Sequence, residues 1–229
     1  MSKAELGFSF IFLALFLAAL SPALAQDGPK LIEYVFGQEF DKAKELVRGG
    51  VNVNFQDESS GSTALMLACG FNFADMAKFL VEHGADLNLQ DKRGRTALMI
   101  AAGRSDEIFD FLLSKGADIK PEDRQGLNAF YHACVGVVSD SVSLAAVKAL
   151  LDKGADVNHA PGHGDMEGFT CLMLAARSGH SELAGLLIKS GANVNHKAKN
   201  GQTALAVAQE EGNDEVVKLL KAAGAKRVS

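Results

Sequence analysis

The chain has 229 residues, of which 48% are hydrophobic, and its formal net charge at pH 7 is −5. This hydrophobic fraction is sufficient for an ordinary globular core. The negative net charge argues against nucleic acid as a partner, because proteins that bind it use cations to neutralise phosphates.

The first 25 residues have the pattern of a secretory signal peptide. Lys3 precedes the apolar run FSFIFLALFLAAL at 8–20, and Ala23 and Ala25 then form an A-x-A cleavage signal. The run has about 13 residues, fewer than the ~20 needed to cross a bilayer, so an uncleaved membrane anchor is the weaker alternative. We therefore expect an exported protein whose mature part, 26–229, is a single domain without membrane contact, periplasmic or alternatively secreted.

The rest of the chain repeats one pattern. A first apolar segment follows Thr63, Thr96, Thr170 and Thr203, and a second apolar segment ends each time in Gly-Ala. Threonine before an apolar run is typical of a helix start, and glycine after one favours a helix end. The pattern predicts helix pairs that bury their apolar stripes by stacking on neighbouring pairs. The first segments are GSTALMLACG from Gly61, GRTALMIAAG from Gly94, GLNAFYHACV from Gly126, GFTCLMLAAR from Gly168 and GQTALAVAQE from Gly201.

At these segments the sequence resembles the ankyrin repeat, whose signature is T-P-L-H-x-A with a period near 33. The resemblance implies an all-α ankyrin-repeat solenoid of about six helix-turn-helix repeats with hairpin fingers. Methionine stands at the usual histidine position in three repeats (Met66, Met99, Met173), so we expect apolar packing instead of the Thr-to-His hydrogen bond. The repeats are bounded at about 30–56, 57–90, 91–122, 123–160, 161–197 and 198–229.

Three cysteines cannot all pair within one chain. Cys69 and Cys134 occupy the same position two repeats apart, and two layers of packed helices, at about 8–10 Å each, exceed the ~7 Å limit between the Cα atoms of a disulfide. Cys134 and Cys171 lie in adjacent repeats at different positions, so this pairing remains possible. We favour three reduced thiols in the core, where cysteine behaves as a small hydrophobic residue.

Repeat four is longer than the others in two places. About five extra residues fall in VGVVSDSVSLAAV (135–147), between its helices, and about four fall in the following finger, which contains HAPGHGDMEG (159–168). Insertions in solenoids form surface loops, often at the binding face. We therefore expect repeat four to contribute partner contacts, among them Val138, His163 and Met166.

The ankyrin resemblance implies that finger tips and inner helices form a concave recognition surface. Six cations among the expected contacts of this acidic protein predict a partner with an acidic face. Arginine and exposed aromatic residues often dominate interface energies, although each residue alone can equally be an ordinary solvated one. The expected contacts are Phe71, Lys92, Arg93, Arg95, Arg104, Arg124, Leu127, Val138, His163, Met166, Phe169 and Arg177.

Two segments contain residues that suggest chemistry. His159, His163, Asp165 and Glu167 are of types that zinc accepts, but a glycine-rich loop fixes no ligand geometry. His159 also corresponds to His196 of the next repeat, which predicts an ordinary finger residue. We therefore expect no metal and no cofactor, and keep a metal-dependent activity at 159–168 as an alternative.

The second segment, GHSEL from Gly179, places a serine beside a histidine. It falls in a turn between two helices, where Ser181 and Glu182 suit helix capping. The sequence contains no H-E-x-x-H, G-x-S-x-G or P-loop motif. We expect no catalytic residue.

The export signal and the repeats together resemble bacterial exported ankyrin proteins, which are associated with periplasmic enzymes as inhibitors or supports. The resemblance implies a protein that is a monomer when free and binds another protein. The preferred hypothesis is self-protective restraint of a periplasmic enzyme, such as a cell-wall (peptidoglycan) peptidase. The alternatives are a scaffold for a periplasmic enzyme such as catalase and an effector that acts on a host or neighbouring cell.

Overall fold

The structure is a computed structural model that describes residues 27–164 and 166–226. The expected signal peptide and Asp165 lie outside the described residues. Within those ranges the chain forms helices and no β-strand. The helices are α1 (Gly28–Phe36), α2 (Phe40–Arg48), α3 (Ala64–Gly70), α4 (Ala74–Glu82), α5 (Ala97–Ala102), α6 (Asp106–Ser114), α7 (Ala129–Val138), α8 (Leu144–Asp152), α9 (Cys171–Ser178), α10 (Ser181–Lys189), α11 (Ala204–Glu210) and α12 (Asp214–Ala222).

These helices stack as antiparallel pairs, in which the odd-numbered helix is called inner and the even-numbered helix outer. Each inner helix packs against the inner helices of the neighbouring pairs, and most outer helices do the same in a second layer. Close backbone contact is weaker between the outer helices α8 and α10 than between the other neighbouring outer helices. The all-α solenoid of stacked repeats is therefore confirmed.

The starts of the inner helices follow directly from the sequence. The hydroxyl oxygens of Thr63 and Thr96 accept hydrogen bonds from the backbone N–H groups of Met66 and Met99, at 3.2 and 3.3 Å. The expectation that methionine contributes only apolar packing is wrong. The sulfur of Met66 accepts the Thr63 N–H at 3.5 Å, so the methionine partly replaces the missing histidine as a hydrogen-bond partner.

The outer helices also end as the sequence predicts. Each ends two residues before a glycine with a positive φ, as at Gly84, where φ is 90°. Such a backbone conformation is accessible to glycine without a steric cost.

The fingers are hairpin turns that stack directly on one another. In the finger at 91–95, the Asp91 N–H donates to the Arg95 carbonyl at 3.0 Å, and the Lys92 N–H donates to Ser60 of the preceding finger at 2.8 Å. Gly94 has a φ of 80°, and a Cβ atom there would lie 2.9 Å from the Cα of Asp123 in the next finger. A side chain at this position is therefore excluded both by the backbone conformation and by the neighbouring finger.

The first insertion of repeat four is placed differently from the expectation. It mainly lengthens α7, which has 10 residues, whereas the other inner helices have 6 to 9. Apolar residues such as Val137 continue the buried stripe, so the extra turn is stabilised as helix rather than left as a loop. Val138 packs against the core and is half-buried.

The three cysteines are free thiols in the core, as the sequence predicts. Cys69, Cys134 and Cys171 are all fully buried, and none forms a disulfide. Burial raises the pKa of Cys69 to about 12 and the pKa of Cys171 well above its usual range. The thiols of Cys69 and Cys171 are therefore protonated, and all three cysteines act as buried packing groups.

Within the described ranges, no helix has both the length and the apolar character needed to span a membrane.

Candidate partner-binding surface

The finger tips and the ends of the inner helices lie on one side of the stack, which we call the inner face. The inner-helix row is the set of exposed side chains in or just after the last turn of each inner helix. This row places aromatic, aliphatic and charged residues at the same or directly adjacent positions of successive repeats, since Phe71 and Arg104 lie one residue further along their repeats than Val135, Arg177 and Glu210. In repeat order, it consists of Phe36, Phe71, Arg104, Val135, Arg177 and Glu210.

The predicted cations of the fingers fall into two groups. Arg95 donates two hydrogen bonds to Oδ2 of Asp91, from Nε at 2.9 Å and from Nη2 at 2.7 Å. Lys92 Nζ donates to the Glu58 carbonyl of the preceding finger. These two cations therefore hold the fingers together. Within residues 27–164 and 166–226, the guanidinium groups of Arg93 and Arg124 form no ion pair or side-chain hydrogen bond, and both residues are exposed.

Arg93, Arg95 and Arg124 surround a cavity of about 410 Å³ between two fingers. Its inner wall is His132, whose Nε2 lies 2.9 Å from Oδ2 of Asp123. The lining of the cavity therefore combines three arginines with one buried carboxylate, that of Asp123.

Asp123 is held by several donors. Burial raises its pKa, but hydrogen bonds from His132 and from the backbone N–H groups of Leu127 and Gln125 outweigh this effect, so the pKa is below its usual value. Sequence reasoning missed His132. The available signal was a polar residue at a repeat position that is otherwise aliphatic. The equivalent residues of four other repeats are Leu67, Ile100, Leu174 and Val207.

Two of the residues predicted as apolar contacts have buried side chains, which leaves them little surface for a partner. Leu127 is 8% exposed and Phe169 is 7% exposed. Both precede the residue that caps an inner helix, and both side chains belong to the buried core. The Arg177 guanidinium covers the Phe169 ring at 5.1 Å from its centroid, so Arg177, rather than Phe169, is presented on the inner face.

Phe71 belongs to a larger aromatic group than the sequence indicated. Its ring lies 5.5 Å from that of Phe36 and 5.7 Å from that of Phe73, which in turn lies 5.0 Å from Phe40. We call these four residues the aromatic strip. Phe36 was missed because the first repeat lacks the threonine signature that aligns the others.

The second insertion joins the finger stack through side chains. His163 Nε2 donates to the Arg124 carbonyl at 3.0 Å, one residue before the position whose carbonyl accepts a backbone N–H in the regular fingers. His159 Nε2 donates to the Gly126 carbonyl and His196 Nε2 to the Gly168 carbonyl, both at 2.9 Å. The prediction that the histidines at 159 and 196 are equivalent finger residues is confirmed.

Other side chains of this finger are also engaged in packing or pairing. Glu167 pairs with Lys199 at 2.6 Å, and Met166 is half-buried against the core. In the parts of the chain that the structure describes, no three His, Cys, Asp or Glu side chains are grouped so that they could hold a metal ion. Asp165 lies outside those parts.

The turn containing GHSEL is structural in a way that the sequence did not predict. The cap of α10 is His180, whose Nδ1 accepts the Leu183 N–H at 3.2 Å. Ser181, which we expected as a capping residue, is the first residue of the helix itself.

Comparisons with known proteins agree with the repeats. A family model described as ankyrin repeats (3 copies) matches residues 31–123 and 133–228. The chain is 32% identical over 199 residues to ankyrin repeat and KH domain-containing protein mask-1 of Caenorhabditis elegans, covering 85% of this chain and 7% of that protein. It is 36% identical over 167 residues to human ankyrin repeat and SOCS box protein 6, covering 70% of this chain and 30% of that protein.

A third relative is the nuclear factor NF-kappa-B p105 subunit of Gallus gallus, 33% identical over 164 residues, or 71% of this chain and 16% of that protein. The chain thus spans less than a third of the length of these relatives. Repeats of this kind mediate protein–protein interaction, and the matches extend over most of the stack. The chain belongs to the ankyrin-repeat family.

Proposed function

We propose that the chain is exported to the periplasm, binds another protein through the inner face, and thereby restrains a periplasmic hydrolase. A cell-wall peptidase of the same cell is the preferred target, and restraint would be self-protective. The chain acts by binding and performs no chemical step of its own.

The observation that carries the proposal is the set of available guanidinium groups on the inner face. Arg93, Arg104 and Arg124 are exposed, and within the described ranges their side chains have no carboxylate partner. Arginine binds carboxylates through two parallel hydrogen bonds, which are stronger than bonds between neutral groups. Their position on a protein of net charge −5 supports a partner with an acidic surface.

The rigidity of the fingers supports a mechanism of steric occlusion. The Arg124 N–H donates to the Arg93 carbonyl at 2.8 Å, and the His163 side chain ties the enlarged finger to the Arg124 carbonyl at 3.0 Å. A preorganised surface loses little conformational entropy on binding. Such a surface can cover a substrate cleft without deforming.

Export rests on the sequence of residues 1–25, with its apolar run and A-x-A signal. A periplasmic location would place the chain beside enzymes that act on the cell wall, which is the basis for choosing this class of target.

The test is capture from periplasmic extract by the purified protein. We expect a hydrolase to be retained by the parent chain and lost with the variant Arg93→Glu, Arg104→Glu, Arg124→Glu, because carboxylates on the partner would then face like charges. Arg48→Glu is the matched control, since Arg48 is exposed at the end of the outer helix α2. Equal recovery with the triple variant would refute the basic surface as the binding site.

The activity of the captured enzyme separates restraint from support. A hydrolysis rate that falls when the chain is added supports inhibition, whereas an unchanged rate would favour the scaffold alternative.

A further inference from the structure

The exposed hydrophobic residues of this protein are not scattered. Among the described residues, the most exposed large hydrophobic residues are Phe36, Phe71 and Val135, with 64%, 50% and 40% of their surface accessible to solvent. All three lie in the inner-helix row. Single exposed apolar residues are ordinary, but apolar residues aligned on one surface are typical of an interaction site.

The aromatic strip makes the first part of the row a rigid apolar platform. The Phe36 and Phe71 rings meet edge to face at an interplanar angle of 78°, and the half-buried Phe73 stacks on Phe71 at 21°. Aromatic side chains held in this way offer a large contact area at a small cost in conformational entropy. An aliphatic or aromatic side chain of a partner fits this platform.

The next positions of the row are cationic or aliphatic. Arg104 borders a depression of about 530 Å³ whose other wall is formed by Ser139 and Ser141, in the turn after the lengthened helix α7. Arg177 is exposed with its guanidinium over the Phe169 ring, and within the described ranges no carboxylate pairs with it, so its N–H groups are left for a partner. Val135 lies between these two arginines in repeat order.

The row ends with the opposite charge. Glu210 Oε2 accepts a hydrogen bond from Gln202 Nε2 at 2.8 Å. An acidic partner segment would be repelled at this end and attracted at Arg104 and Arg177. The charges therefore favour one placement of such a segment along the row.

We propose that the row binds one extended acidic segment of the partner, which alternates apolar side chains with carboxylates. Its apolar side chains contact the aromatic strip and Val135, and its carboxylates pair with Arg104 and Arg177. Packed helices lie about 8–10 Å apart, and an extended chain covers about 3.3 Å per residue. Successive contacts therefore fall on about every third residue of the segment. This inference rests on the proposed function only in requiring a protein partner.

The probe is a fluorescein-labelled synthetic peptide with the sequence FSSESSLSSE, compared with ESSESSFSSL, which has the same composition but places both acidic residues before both apolar ones, so that no register of this peptide on the row matches more than two contacts. Fluorescence anisotropy with the purified protein measures both affinities. We expect saturable binding of the first peptide and about tenfold weaker binding of the second, because two or more contacts are then mismatched.

Substitutions of residues in the row test whether the peptide binds there. Phe71→Ala and Arg104→Glu should each weaken binding of the first peptide by about tenfold. Phe111→Ala on the outer helix α6 is the control and should leave the affinity unchanged. Thermal unfolding of each variant establishes that the stack is intact.

Equal affinity for the two peptides, or folded Phe71→Ala and Arg104→Glu variants that bind the first peptide like the parent, would overturn the inference. If a periplasmic hydrolase is still captured in that case, the proposed function survives without it. If the peptide binds as expected but no hydrolase is captured, the inference about the row is supported and the proposed function is refuted.

Discussion

At the scale of single residues, the finger glycines separate two contributions to stability. Gly94 and Gly201 occupy the same finger position with φ of 80° and 81°. A Cβ at Gly94 would approach the backbone of Asp123 to 2.9 Å, whereas a Cβ at Gly201 would meet nothing within 4 Å. The first position therefore combines backbone strain with a steric clash, and the second has the strain alone.

Gly201→Ala should lower the free energy of unfolding by about 1–2 kcal/mol, the cost of a left-handed conformation. Gly94→Ala should cost about 1–3 kcal/mol more, because the next finger must move. Urea unfolding of the two variants measures the difference. If both substitutions destabilise the protein equally, the fingers are not packed as closely as described.

Asp123 is the residue whose protonation should affect stability. Its pKa is lower in the folded protein than its ordinary value, so its hydrogen bonds contribute stability that is present above the pKa of an unfolded aspartate, about 3.9. That contribution disappears as the pH falls through the lower, folded pKa. The midpoint of urea unfolding, followed from pH 7 to pH 2, reports this loss.

In the variant Asp123→Asn this acid-dependent part should be missing, so the parent and the variant should converge in stability at low pH. Asp152→Asn, an exposed position on α8, should keep the parent's profile. A constant difference between Asp123→Asn and the parent at every pH would exclude the carboxylate as the source.

At the scale of elements, a ladder of side-chain hydrogen bonds links the repeats and is broken once. Asn54, Asn88 and Asn158 each accept a backbone N–H of the following repeat, at 2.7 to 2.9 Å. Lys120 occupies the corresponding position between repeats three and four. An amide acceptor is therefore missing beside the repeat that carries both insertions.

Lys120→Asn should restore this link by accepting the N–H of Asp156, and should raise the free energy of unfolding by about 0.5–1.5 kcal/mol. Lys197→Asn is the control, because Lys197 is an exposed finger residue outside the ladder. Urea unfolding measures both. An unchanged or lower stability of Lys120→Asn would show that the gap between these repeats does not accommodate the ladder.

The elements also show what could be predicted from the sequence. Caps such as Thr63 and end signals such as Gly84 act within a few residues, so their patterns predicted the helices. Burial of Leu127 and Phe169 depends on how fingers pack under inner helices, which no local pattern contains. The aromatic strip was not predicted, in part because Phe36 belongs to the first repeat, which lacks the threonine that marks the start of the inner helix in other repeats.

At the scale of the whole molecule, stacked repeats turn a local pattern into an extended surface. Each repeat contacts only its neighbours, so equivalent or directly adjacent positions recur along the inner face. Their differences, from Phe71 to Arg104 to Val135, define a sequence of chemical groups. Arg93, Arg104 and Arg124 place exposed cations at the centre of this face, although the formal net charge of the chain is −5. This arrangement favours selective binding of an acidic partner over non-specific adhesion.

Repeat four is where the stack departs most from regularity. The lengthened α7 borders the depression beside Arg104, and the enlarged finger is tied to Arg124 by His163. Both insertions thus adjoin the available arginines. Their positions connect the irregular part of the fold to the surface proposed for binding.

The most direct test of restraint is the hydrolysis rate of the captured enzyme as purified chain is added. We predict that the rate falls to a minimum near one chain per enzyme, and that the variant Arg93→Glu, Arg104→Glu, Arg124→Glu leaves the rate unchanged while Arg48→Glu inhibits like the parent. A rate that stays constant with the parent chain at saturating concentration, or that falls equally with the triple variant, would contradict the account.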